Sequence, residues 1–249
     1  MVNVLIAFLI YAVLLSIALK RAGVNSPAKP PNSAAGDSPK RVLIVGATGG
    51  TGRALVAQAL ERGYVVTALA REPRALDIKH PRLRVMQGNV LDETSIDAAV
   101  RGQDAVLSAL GHKRYLGPTR ILSRGTANLL GAMKRHGVQR FVCETSLGIG
   151  NSAGRMGLYY TFFVIPVVLP FYFWDKTRQE RVIAASGLDW IIVRPAALTN
   201  GAKRGGFRHG VQVGSFLRTH RISRADVADF MLNQLTDNVY LRTAPGVCW

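Results

Sequence analysis

The run Arg41-Val-Leu-Ile-Val-Gly-Ala-Thr-Gly-Gly-Thr-Gly-Arg53 constrains the chain more than any other segment. Four apolar residues predict a buried strand, glycines follow at 46, 49 and 52, and Ala54, Leu55, Val56 and Leu60 recur at helical spacing. Gly46 permits a tight turn, Gly49 lets a pyrophosphate approach the backbone, and Gly52 lets the helix pack closely on the strand. The helix N-terminus then faces the phosphates. The alternative is a plain strand-turn-helix corner, since such glycine spacing also recurs by chance in a chain with 25 glycines. The position of the run, in the first strand-helix unit with a second strand after Gly63, favours a dinucleotide site.

The rest of the body repeats this alternation. Strands are expected near Val42 to Val45, Val65 to Leu69, Leu83 to Met86, Ala105 to Leu107, Arg140 to Glu144 and Trp190 to Val193. Helical patterns lie near Gly52 to Glu61, Ser95 to Val100, Arg120 to His136 and Asp175 to Ala185. Such alternation predicts an α/β fold, a doubly wound parallel sheet of Rossmann type. At 249 residues, 48% hydrophobic and 19% charged, the chain can bury a core without disulfides, and its two cysteines form neither a zinc pattern nor a disulfide framework.

Ahead of this body, Val2 to Leu19 carries no charged side chain. As a helix it extends about 27 Å, close to the hydrocarbon thickness of a bilayer. The run is read as a transmembrane anchor over residues 1–21. A cleavable signal peptide is the rival, but no Lys or Arg precedes the apolar run and Lys20 and Arg21 follow it without a small-x-small site. Those two cations predict a single-pass protein with its catalytic domain on the cytosolic side. Residues 22–40, with Pro27, Pro30, Pro31 and Pro39, read as a linker of about 24 Å reach, which places the Rossmann domain at 41–249.

Cofactor choice is expected to show at the end of the second strand. There Val65-Val-Thr-Ala-Leu-Ala-Arg71 lacks the acidic residue that holds an NAD ribose and supplies Arg71 instead. With Arg53, it offers guanidinium groups to a ribose 2′-phosphate, so NADP(H) is predicted over NAD.

Further motifs narrow the class: Gly88-Asn-Val-Leu-Asp92, Gly102-Gln-Asp-Ala-Val106, Arg140-Phe-Val-Cys-Glu-Thr-Ser146, Ser186-Gly-Leu-Asp-Trp-Ile-Ile-Val-Arg-Pro195 and Ile222-Ser-Arg-Ala-Asp-Val-Ala228. With the glycine loop they make residues 41 to about 235 resemble the atypical short-chain dehydrogenase/reductases, in particular the NAD(P)H-binding group that includes flavin reductase, also called biliverdin-IXβ reductase. The resemblance implies that Gly46, Thr48, Gly49, Thr51 and Gly52 hold the pyrophosphate and that Arg53 and Arg71 surround the adenosine phosphate. It also implies that Asn89 and Val90 flank the adenine and that Ser108 to Gly111 lie beneath the ribose. Asn89 stands where the family usually has Asp, and an Asn amide can still hydrogen-bond adenine.

Members of the superfamily that reduce carbonyls use a Ser, a Tyr and a Lys four residues after the Tyr. This chain offers Ser146, Tyr172 and Lys176. The spacing sets Tyr and Lys on one helical face, where the ammonium would lower the phenol pKa and Ser146 would hold the substrate oxygen. The alternative for the pair is an interfacial aromatic and a solvated lysine.

Met156 to Trp174 is uncharged, rich in aromatics and interrupted by Pro166 and Pro170. A second membrane crossing inside the Rossmann unit would disrupt the sheet, so the segment is read as the wall of an apolar substrate pocket or as a dip into the membrane interface. The net charge of +17 favours anionic partners. From Ile191 to Ala225 the chain has no acid, and Arg194, Lys203, Arg204, Arg208, Arg218, Arg221 and Arg224 suggest contact with anionic headgroups. Nucleic acid is not expected, since the charges lack interleaved aromatics. Ser223 reads as a helix N-cap with Asp226 behind it. The five histidines show no metal spacing and read as surface residues; no metal site is expected.

The sequence thus predicts a membrane-anchored NADPH-dependent oxidoreductase acting on a lipophilic small molecule: a hydrophobic carbonyl, quinone, flavin or tetrapyrrole. A non-catalytic NADP-binding scaffold or redox sensor is the alternative, and an isomerase or dehydratase with tightly held NADP would use the same triad. A homo-oligomer is compatible with the sequence.

Overall fold

The computed structural model describes residues 2–24, 40–112, 114–115 and 117–249. The proline-rich linker expectation falls mostly on residues 25–39, outside the described residues. Helix α1 (Val2–Ala22) comprises a span, Val4–Ala22, long and apolar enough to cross a membrane. It buries Ala12, Leu19 and Ala22 against the body, while Leu5, Ile6, Leu9, Ile10, Val13, Leu14 and Ile17 stay exposed. Residues seven and three apart share one helical stripe, so α1 packs by a single edge.

The body begins with β1 (Arg41–Val45), α2 (Gly50–Glu61), β2 (Val65–Ala70) and β3 (Leu83–Gln87), followed by α3 (Glu93–Val100), β4 (Ala105–Ser108), α4 (Ile121–Arg135) and β5 (Arg140–Glu144). A π-helix over Tyr160–Val168 leads into α5 (Pro170–Ala184) and β6 (Asp189–Pro195). Strands β1 to β6 pair in parallel in the order 3-2-1-4-5-6. All but the edge strand β3, where Arg84 and Gln87 are exposed, are nearly continuous apolar runs because both faces of the sheet are covered there. Val42 and Ile44 face a core shared with α2 and α6 (Arg224–Asn233), whereas Leu43 and Val45 face one shared with α3, α4 and α5.

The strand order reverses between β1 and β4, which opens a crevice at the carboxyl ends of the strands. The doubly wound parallel sheet expected from the sequence is present, with additions. Short strands β7 (Ala197–Thr199) and β9 (Arg221–Ser223) pair with each other. Strand β10 (Gly246–Cys248) runs parallel beside β6, and β8 (Arg208–Gly210) closes that edge antiparallel. Helix α5 starts five residues before the predicted Asp175, with Pro170 at its first position, where a missing N–H costs no hydrogen bond.

The π-helix lies beside α1, and Tyr11 Oη donates to Pro166 O at 3.3 Å. Proline inside a helix removes a donor and crowds the preceding turn, and the wider winding accommodates it. Met156 to Trp174 contains no helix long and apolar enough to cross a membrane, and it leaves Tyr159, Phe163, Val167, Phe171 and Trp174 exposed.

Candidate active site and dinucleotide cradle

The loop between β1 and α2 is shaped by what has no room to be there. Gly46 has φ +78° and a Cβ on it would stand 2.5 Å from Ala109 O; a Cβ on Gly52 would stand 2.0 Å from Gly46 O. Gly49 caps α2 in extended conformation and offers no side chain to the amides of the first turn. Those amides and the positive end of the helix dipole are thereby left for a ligand anion. Thr51 turns inward, its hydroxyl donating to the buried Glu144 Oε1 at 3.1 Å, so toward a phosphate it can offer its amide. The half-buried Thr48 accepts a hydrogen bond from Arg53 Nε at 3.0 Å. Arg53 also reaches Ala75 O, tying the glycine loop to the turn after β2.

Arg71 is exposed immediately beyond β2. Beyond β3, Asn89 Oδ1 accepts from Leu91 N at 3.1 Å, and Asn128 donates to Val90 O at 3.0 Å, which holds the Asn89–Val90 turn at the crevice. Ser108 is fully buried, in register between Val45 and Cys143; of the residues after it, Gly111 is exposed.

Sequence reasoning assigned Arg224 to a surface patch, but the fold lays it over the glycine loop. A Cβ on Gly50 would stand 2.4 Å from Arg224 Cδ, and the guanidinium donates to Asn200 Oδ1 at 2.5 Å. Arg224 is the first residue of α6, and no local pattern relates it to Gly50, more than 170 residues earlier. An uncapped helix, glycines without Cβ room and this cation together fit a dinucleotide pyrophosphate.

At the other end of the crevice, Pro170 sets the start of α5 so that Tyr172 and Lys176 stand one turn apart. Lys176 Nζ lies 5.2 Å from the Tyr172 ring centroid, and the lysine is only 4% exposed. Burial disfavours its charge, but Tyr172, Glu144 and Cys143 outweigh burial and hold the ammonium above the ordinary lysine range. Burial pushes the Glu144 carboxyl up, opposed by Lys176, the Thr51 hydroxyl and Arg224. Burial also pushes the Cys143 thiol up to about 12, which leaves it inert.

A Cβ on Gly111 would stand 3.4 Å from the Tyr172 hydroxyl, so this hydroxyl reaches the loop after β4. The His112 ring meets the Tyr172 ring edge-on at 5.0 Å and Tyr115 meets it at 5.9 Å. His112 is thus half-buried beside Tyr172 rather than a plain surface residue. Burial lowers its pKa, Asp175 opposes this, and Lys176 and Arg114 add to the lowering. Ser146 is half-buried two residues past β5, held by Thr145 N to Val193 O at 2.7 Å and Leu147 N to Pro195 O at 3.0 Å. It makes no hydrogen bond to Tyr172 or Lys176 among the described residues.

Two buried carboxylates fix α5. Asp175 accepts from Leu122 N at 2.9 Å, Ser123 N at 3.2 Å and Ser123 Oγ at 2.5 Å, so α5 supplies the cap of α4. Glu180 pairs with Arg194, which the sequence reading had placed among headgroup-facing cations. Arg194 is fully buried because this carboxylate meets it at 2.6 and 2.9 Å. No group of three or more His, Cys, Asp or Glu residues is placed to hold a metal among the described residues.

Comparison with known proteins agrees with the cradle. Residues 46–238 match the model of a family described as NAD(P)H-binding. An uncharacterized chloroplastic protein of Arabidopsis thaliana is 31% identical over 65% of this chain and 60% of its own length. A 3 beta-hydroxysteroid dehydrogenase/Delta 5→4-isomerase of Mycobacterium tuberculosis is 32% identical over 68% of this chain and 50% of its own. The chain therefore spans only half to three-fifths of these relatives. A short-chain dehydrogenase/reductase of Veillonella parvula, solved in complex with NADP, shares the fold with a TM-score of 0.70, 20% identity and coverage of 85% of this chain and 95% of that one.

Proposed function

Because the chain belongs to the NAD(P)H-binding family, we propose that it is a membrane-anchored, NADPH-dependent reductase of short-chain dehydrogenase/reductase type, acting on a hydrophobic carbonyl, quinone, flavin or tetrapyrrole. The observation that carries this reading is the Tyr172 hydroxyl at the loop after β4 with the buried Lys176 behind it. The bound cofactor supplies hydride from the nicotinamide. Tyr172 donates a proton to the substrate oxygen, and the Lys176 ammonium stabilises the phenolate that results. Ser146 hydrogen-bonds the same oxygen, while His112 and Tyr115 confine the ring of Tyr172. These positions exist before substrate arrives, so orientation contributes alongside the proton transfer.

NADPH is preferred to NADH because the end of β2 carries Arg71 in place of a carboxylate. The apolar length of α1, followed by Lys20 and Arg21, supports an anchor with the reductase domain on the cytosolic side. Exposed Tyr159, Phe163, Phe171 and Trp174 extend the apolar surface toward Tyr172, which suits a lipophilic substrate. The steroid named for the mycobacterial relative is a substrate of that class.

A second reading, a non-catalytic NADP-binding scaffold, draws on the same exposed apolar surface as a docking face. NADPH oxidation by the full chain in neutral detergent, followed with steroid ketone, quinone, flavin and tetrapyrrole acceptors, separates the two. Acceptor-dependent turnover supports the reductase. Tight NADPH binding with no turnover on any acceptor class supports the scaffold.

A further inference from the structure

On the sheet face opposite α2 and α6, helices α4 and α5 pack against each other and leave between them a groove of about 360 Å³. The stems of Arg120, Arg124, Arg178 and Arg181 line it, together with Ser123, Ala127 and Val182, so the lining is almost wholly apolar and the guanidinium groups stand at its rim. Like charges gathered this way repel unless an anion lies among them. The nearby carboxylates are engaged elsewhere, Asp175 by the first amides of α4 and Glu180 by Arg194. None of the four arginines has a carboxylate partner among the described residues. Arg178 instead covers the face of Trp174, 5.6 Å from the ring centroid.

The groove sits at a particular level of the apolar surface. Along α5, Phe171 and Trp174 are exposed, and Arg178 and Arg181 continue the same stripe at helical spacing. Along α1 the apolar run ends at Lys20 and Arg21, and Arg181 Nε donates to Ala22 O. Tyr11 meets Pro166 further up. The two segments thus run side by side in the same direction and pass from apolar to cationic at the same level. That is the profile of a boundary between hydrocarbon and headgroups.

We infer that the guanidinium groups at the rim of the α4–α5 groove bind the phosphate of an anionic phospholipid headgroup, with the acyl chains lying along Trp174 and α1. This rests on the membrane-anchored reading above. Guanidinium groups suit a phosphate better than a carboxylate-poor surface would need for solubility alone, because they present forked donors to its oxygens. A second copy of the chain docking two-fold on this face would set one cationic patch against its equal, which opposes that occupant.

The test uses the full chain in neutral detergent, saturated with NADPH so that the dinucleotide site is filled. Binding of short-chain phosphatidylglycerol, short-chain phosphatidylcholine, glycerol phosphate and inorganic phosphate is measured by the shift in unfolding temperature and by titration. Phosphatidylglycerol is expected to bind at least about ten-fold more tightly than phosphatidylcholine. The Arg124→Gln/Arg178→Gln variant should lose about thirty-fold of that affinity, at about 1 kcal/mol for each near-surface charge. Its NADPH affinity should not change. A second pair, Arg120→Gln/Arg181→Gln, should show the same loss. Unchanged phosphatidylglycerol affinity in both variants overturns the inference. So does glycerol phosphate or inorganic phosphate binding as tightly as the lipid, which would make this a site for soluble phosphate. A dimer broken by the variants with no lipid preference in the wild type overturns it in favour of a second copy. Partition into pure phosphatidylcholine vesicles is measured alongside. A wild type that stays out of them overturns the membrane reading itself, whereas one that enters but shows no anionic preference overturns only the groove.

Discussion

Replacing Glu180 with Gln will leave the Arg194 guanidinium buried without its countercharge. In the native fold Arg194 donates Nε to Glu180 Oε1 at 2.9 Å and Nη2 to Oε2 at 2.6 Å, and Thr145 Oγ1 adds a bond of 2.7 Å to the same carboxylate. Side-chain exposure is 1% for Arg194 and 0% for Glu180, so solvent cannot screen the change. Breaking such a pair on one side costs about 3 to 5 kcal/mol. For a domain of this size that corresponds to a fall in Tm of roughly 6 to 20 °C. Removing both charges in Glu180→Leu/Arg194→Met should restore most of the stability, because the desolvation of both ions is relieved together. Denaturant unfolding of the full chain in neutral detergent, with thermal melts in parallel, measures the three proteins. A loss below about 1 kcal/mol for Glu180→Gln would refute the reasoning, since a dry pair with this geometry cannot lose one partner so cheaply. The same pair binds α5 to β6, and Arg194 Nη1 donates to Asn151 Oδ1 at 2.5 Å. Glu180→Gln should therefore also loosen the helix that carries Tyr172 and Lys176.

Three further outcomes are expected. Gly52→Ala puts a methyl 2.0 Å from Gly46 O and 2.8 Å from Ala47 Cα, so the loop must shift, and NADPH affinity measured by fluorescence titration should fall at least about ten-fold, in keeping with overpacking costs of about 1 to 3 kcal/mol. Arg71→Ala should leave NADH binding unchanged and weaken NADPH by about ten-fold or more, the cost of one charged hydrogen-bonded contact; equal losses for both would remove Arg71 from the 2′-phosphate. His112 has its pKa lowered from 6.5, first by burial. The unfolded chain therefore binds the proton more readily, and stability should fall as pH drops below about 6.5. Comparing unfolding midpoints at neutral and mildly acidic pH, His112→Gln should flatten that dependence. Asp97, held below the ordinary carboxylate range by hydrogen bonds from His136 and Arg135, titrates below this window.

What the sequence revealed follows from how local each constraint is. The glycine loop was legible because the tight turn demands a positive φ at Gly46 and because Gly52 answers to Gly46 and Ala47, a few residues away, although the Ala109 carbonyl that also crowds Gly46 is distant in the chain. The inner strands β1, β2, β4, β5 and β6 were legible because both their faces are covered and they read as apolar runs, while the edge strand β3 kept only Leu83, Val85 and Met86 as its signal. The start of α5 was less so, since Phe171 to Trp174 is apolar all round and shows no 3.6-residue period until Asp175. Arg194 and Arg224 looked like surface cations because the groups that claim them, Glu180 and the Gly50 loop, are distant in the chain. The short strands β7 to β10 have three residues each, too few for an alternating pattern to register. His112 beside Tyr172 belongs to the same class: only the packing of α5 on the loop after β4 brings the rings together.

The central claim is that Tyr172 delivers the proton and Lys176 sustains it. Single-turnover oxidation of bound NADPH by a lipophilic carbonyl, followed in the wild type, Tyr172→Phe and Lys176→Met, tests it most directly. The account predicts that each variant binds NADPH as the wild type does and transfers hydride about 10² to 10⁴-fold more slowly. A Tyr172→Phe chain that reduces the same carbonyl at the wild-type rate would contradict it.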